Sequence, residues 1–145
     1  MANYEIARSI SMNPTQTEAI SQSRFLQLVS GGTVQHATSS VAGAQAIVGI
    51  SVESSPDSDV AGVDAKQAAA AIPVAVLDGA KIPVEAGDAS TNNIAVGSPI
   101  NADTTGRAKL AATGEIVLGY SLDSYDGSGG QLIGIIATKG PGLDA

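Results

Sequence analysis

With 145 residues, a formal net charge of −7, three Tyr, one Phe and neither Trp nor Cys, the chain has the length of one domain with a real core. Its acidity and its scarcity of rings argue against a nucleic-acid binder, which needs cations for phosphates and platforms for bases, and the missing thiols exclude disulfides and cysteine-based metal or nucleophilic sites. No apolar run reaches the roughly 18 residues of a membrane span, and MANYEIARSISMNPTQ lacks the apolar stretch of a signal peptide, so folding in a reducing cytoplasm is the expectation.

Residues 1–23 are polar, with isolated apolar side chains at Ile6, Ile10, Met12 and Ile20. Thr15, with Glu18 three residues on, has the form of a capping box for a short helix over 15–22, but the helical face is poor. The segment reads as an extended arm with at most a turn of helix, or as a disordered tail. From Arg24 the pattern changes to strand. Residues 24–29 and 33–37 flank Gly31-Gly32 and predict a hairpin. Residues 46–53 (AIVGISVE) form a β-branched strand, followed by an acidic loop to Asp64. An alanine run tempts a helix before Pro73, which stops it. Beyond it, residues 72–77 and 80–84 flank Asp78-Gly79, the strongest short hairpin signal, and Pro73 and Pro83 suggest sheet edges or strand starts. Residues 94–100 and 107–112 are joined by a turn ending in Gly106, and residues 115–123 and 131–138 close the pattern. Short strands with a turn about every 8–12 residues predict a mainly β domain, a small barrel or a sandwich.

One segment occurs twice. Val48-Gly-Ile-Ser-Val-Glu-Ser54 matches Leu118-Gly-Tyr-Ser-Leu-Asp-Ser124, with Gly49 on Gly119. Upstream, Gly32-Thr-Val-Gln-His-Ala37 matches Gly106-Arg-Ala-Lys-Leu-Ala111. Two copies of one β-unit account for this; chance self-matching in an Ala/Gly/Ser/Val-rich chain is the alternative. Gly49 and Gly119 are candidate kinks or points of close backbone approach. Gly106, Asp78 and Gly79 are candidate turn residues.

Little here carries chemistry. His36 is the only histidine, and a lone His on a strand is ordinarily structural. No nucleophile elbow, zinc-helix, P-loop or dinucleotide motif occurs. Residues 127–130 (GSGG) lack the lysine and helix of a phosphate loop and read as a turn. Asp57, Asp59 and Asp64, and separately Asp123 and Asp126, could offer oxygens to a cation but lack EF-hand spacing. Glu53 and Asp123 fall at equivalent positions of the repeat, yet no aromatic sugar platform accompanies them. No catalytic residue, metal site or cofactor is therefore expected, and the chain is not expected to be an enzyme.

Together, RFLQLVSGGTV, AIVGISVES, PVAVLDGAKIPVEAG, VGSPINADTTGRAKLA, EIVLGYSLDS and QLIGIIA resemble the capsid decoration, or cement, proteins of tailed bacteriophages, over residues 24–137. The most telling stretches are residues 97–108 (GSPINADTTGRA) and 117–122 (VLGYSL). The resemblance implies a small β-rich domain, often trimeric, on the outside of an assembled phage head, with an N-terminal arm reaching over neighbouring major capsid protein subunits. Residues 1–23 would be that arm, with Tyr4, Ile6, Arg8, Ile10, Met12 and Ile20 as its contacts; residues 24–140 would be the decoration domain and 141–145 a tail. The implied partners are the major capsid protein and further copies of the chain, with no nucleic acid and no membrane. The other reading is a ligand- or carbohydrate-binding β-domain.

Overall fold

The structure, a computed structural model, describes residues 8–15, 19–38, 47–55 and 71–138. They form ten strands: β1 Ser9–Met12, β2 Phe25–Leu28, β3 Val34–His36, β4 Ile47–Ser51, β5 Ile72–Ala75, β6 Asp78–Glu85, β7 Pro99–Ala102, β8 Ala108–Leu110, β9 Gly119–Ser121 and β10 Leu132–Thr138. No helix occurs among the described residues; residues 16–18 of the expected short helix and the alanine run ahead of Ala71 lie outside them. All pairings between strands are antiparallel, in two five-stranded sheets ordered β1-β5-β4-β2-β3 and β6-β10-β9-β7-β8. The arrangement is sandwich-like rather than one closed barrel. In each sheet a single parallel bridge, Pro14 to Val34 or Ala86 to Ala108, draws the two edges toward each other.

The two sheets are one design used twice. Each strand of the second sheet occupies the place of the strand five earlier in the first. The register agrees residue by residue. Leu26 faces His36 and Gly49, as Ile100 faces Leu110 and Gly119. Met12 faces Ile72, as Val84 faces Ile133. Backbone bonds outside the ladders repeat as well. The Ser51 amide donates to Arg24 O, as Ser121 does to Ser98 O; Ser55 donates to Ile20 O, as Tyr125 does to Ile94 O. Ser23 and Gly97 are equivalent, and both have left-handed backbones (φ 61° and 85°). Ser23 is the only non-glycine of this kind among the described residues.

One expectation needs correction. Asp78-Gly79 does not close a hairpin: β5 pairs with β1 and β4, whereas β6 pairs with β10, so this short connection crosses from one sheet to the other. A turn dipeptide between apolar runs fixes a reversal, not the sheet that each run joins. Pro83 lies in the edge strand β6, and Pro73 is the second residue of β5, at the start of that strand, where its carbonyl accepts the Val52 amide.

The core has two parts. Ile20, Leu26, Val34, Ile72 and Val74 pack together on one face of the first sheet, with Met12 and Val48 beside them. The larger cluster joins the opposite face of that sheet, through Phe25, Ala37, Ile47, Ile50 and Ala75, to Ile82, Val84, Ile94, Ile100, Leu118, Ile133 and Ile135 of the second half. The first sheet is thus apolar on both faces.

Candidate interaction surfaces

The two halves meet at a joint made from the start of β2 and the end of β6. The Phe25 amide donates to Gly106 O and the Glu85 amide to Ser23 O. Gly106 combines a left-handed backbone (φ 79°) with close contact; a Cβ there would lie 2.6 Å from Phe25 O. Glu85 sits between two arginines. Arg24 Nε donates to Glu85 Oε2 at 2.9 Å, and Arg24 Nη1 donates to Thr105 O. Arg107 Nε lies 2.9 Å from Glu85 Oε1, but off the hydrogen-bonding direction, so that contact is an ion pair. These groups fasten the halves to each other.

The residues singled out from the sequence disperse. His36 is buried, and its Nε2 accepts the Ser21 amide at 2.9 Å. Asp123 accepts the Gly134 amide at 2.7 Å and so ties the loop after β9 to β10. Glu53 and Asp126 are exposed. Asp57, Asp59 and Asp64 lie outside the described residues. Among the described residues, no three His, Asp or Glu side chains converge to hold a metal. The 127–130 loop is pinned by its neighbour, since the Tyr125 hydroxyl accepts the Gly129 amide at 2.7 Å. A hollow of about 320 Å³ beside it is lined by Asn93, Ile94, Ala95, Ser124, Tyr125 and Asp126, in which Asp126 is the only carboxylate. Asp88 is held below the usual carboxylate range by hydrogen bonds from the Ser90 hydroxyl and amide, as in an ordinary Asx turn.

Of the residues expected in an arm, Tyr4 and Ile6 lie outside the described residues. Arg8 is exposed and lies 3.8 Å from Asp78. Ile10 and Met12 are in β1, an edge strand of the first sheet. Ile10 is 42% exposed, whereas Met12 packs against the smaller cluster. Ile20 is fully buried in that cluster and equivalent to Ile94 of the second half, so it serves the fold and is not displayed to a partner. The signal for β1 was faint. SISMNPT (residues 9–15) keeps the alternation of KIPVEAG (residues 81–87) but shares only Ile10 with it.

Part of the described surface is apolar. Tyr120 of β9 is 44% exposed, and its ladder neighbours Ile136 and Pro99 are half-buried, forming one row across the outer face of the second sheet. The composition conceals this row, because its residues differ in type and come from three strands.

No protein-family model matches the chain, and no curated protein sequence does. In three dimensions the chain is similar to the head fiber gp8.5 N base of bacteriophage phi29, with a TM-score of 0.58 and 19% identity, over 90% of this chain and 95% of that one. The two share a fold across almost their whole lengths. The resemblance to phage capsid decoration proteins read from the sequence thus meets a phage head protein of the same fold.

Proposed function

We propose that this chain is a structural protein of a phage virion, made in the host cytoplasm, that binds the outer surface of the assembled head as a trimer. There it stabilises the shell by bridging neighbouring major capsid protein subunits. The observation that carries this reading is the fold shared with a phage head-fibre base over 90% of the chain. Other features accord with it: Asp123 and Glu85 serve a turn and the joint, and the outer face of the second sheet carries an apolar row suited to protein contact. Each contact with a capsid subunit can be modest, because simultaneous binding to several subunits raises the effective concentration.

Purified protein added to expanded heads that lack it is expected to co-sediment with them and raise their melting temperature. Absence of binding to heads of its own phage, in every maturation state, would overturn the reading. Tyr4 and Ile6 precede β1, and we assign them to capsid contact. Removing residues 1–7 should weaken attachment at least tenfold while leaving the thermal transition of the free protein in place.

A further inference from the structure

The halves meet through unlike surfaces. The first contributes residues 23–25 and, to the shared core cluster, Ala37, Ile50 and Ala75; the second contributes Glu85, the turn at Thr105 and Gly106 and, to the same cluster, Ala80 and Ile82. Because both halves have the same fold, each surface has a counterpart on the other half, and that counterpart is left uncovered. Phe25 and Ile50 are fully buried and Ala75 nearly so, yet their equivalents Pro99 and Ile136 are only half-buried and Tyr120 is 44% exposed. Ile82 is 6% exposed, whereas its equivalent Ile10 is 42% exposed. Ala80 is buried at the joint, whereas Arg8, in its place, has a side chain 78% exposed. Glu85 and Gly106 correspond to Asn13 and Gly32, both on the surface.

We infer that these two leftover surfaces bind each other between copies of the chain. The face around Pro99, Tyr120 and Ile136 of one molecule packs on Ile10, Asn13 and Gly32 of the next and repeats the joint between the halves. The occupant is a second copy because the chain already contains the matching pair of surfaces, bound to each other, as its own core. Such a contact is head-to-tail. It closes into a ring if the rotation allows and otherwise continues as a filament. A two-fold dimer through Tyr120 would leave Ile10 open; a ring covers both surfaces on every copy. The contact between copies lacks two features of the internal joint. Ser98 and Asn13 replace the Arg24–Glu85 ion pair, and Pro99 has no N–H to repeat the bond from Phe25 to Gly106. The inference rests on the trimer reading for the number of copies alone.

Mass measured by light scattering on the free protein tests it, and because no capsid is present, a failure to bind heads leaves the result untouched. Wild type is expected to assemble. Tyr120→Asp and Ile10→Asp each remove one surface at an exposed position and should weaken assembly at least tenfold with the thermal transition retained. Mixed in equal amounts, the two variants should give dimers and nothing larger, since only the Ile10 surface of one and the Tyr120 surface of the other remain. Tyr120→Ser and Ile10→Ser serve if aspartate disturbs folding. A wild type that stays monomeric at all concentrations, a variant that assembles like wild type, or a mixture that stays monomeric would each overturn the inference.

Discussion

Gly49 and Gly119 are glycines for lack of room rather than for freedom of φ, since neither has a left-handed backbone. A Cβ on Gly49 would run into the Ala75 carbonyl oxygen, and one on Gly119 would lie 2.6 Å from the Ile136 carbonyl oxygen. Ala75 and Ile136 hold equivalent places in β5 and β10, so the same backbone approach is built twice. Neighbouring main chain cannot swing aside as a flexible side chain can. Gly49→Ala and Gly119→Ala should therefore each destabilise the fold by about 2 kcal/mol, read by urea unfolding. An unchanged midpoint for both would mean that the strands are not this close. The repeat in the sequence exposed these two positions directly. It also suggested a duplicated acidic site at Glu53 and Asp123, but there the likeness was structural: Asp123 caps the Gly134 amide, while Glu53 is exposed.

At the scale of elements, the strand that mattered most was the hardest to see. β1 lies within a segment that reads as an arm, yet it is the first strand of its half, as β6 is of the other. Ile10 and Met12 are its only apolar residues, and a two-residue alternation in a polar stretch carries little weight. Its partners are distant in sequence, since Met12 faces Ile72 and the bridge from Pro14 reaches Val34. Removing residues 1–15 should therefore abolish the cooperative thermal transition or lower it strongly, whereas removal of 1–7 should not, as circular dichroism on heating would show. Equal behaviour of the two truncations would return β1 to the status of an appended arm. The hairpins β2–β3 and β7–β8, in contrast, are evident from their glycine turns, because both strands and the turn lie within a short window.

Across the whole molecule, the duplicated halves are not independent domains. The larger core cluster takes residues from both, and Glu85 carries charge contacts to Arg24 of the first half and Arg107 of the second. Calorimetry should show a single unfolding transition. Glu85→Ala leaves two arginine side chains facing each other at a largely buried joint, and should cost about 3 kcal/mol without splitting the transition. Two resolved transitions in wild type would mean that the halves fold separately.

The sequence by itself determined the mainly β class, the duplicated unit with its paired glycines, and the likeness to phage head-surface proteins. These depend on residue type, short turns and local alternation, which one chain displays without its fold. Only the tertiary structure decided that Asp78-Gly79 passes between sheets, that β1 belongs to the fold, and that one sheet is covered on both faces while the other presents Tyr120 outward. Equivalent residues in a duplicated chain have the same local neighbours but not the same partner across the joint. That partner decides whether Ile82 or Ile10, and Ile50 or Tyr120, is buried.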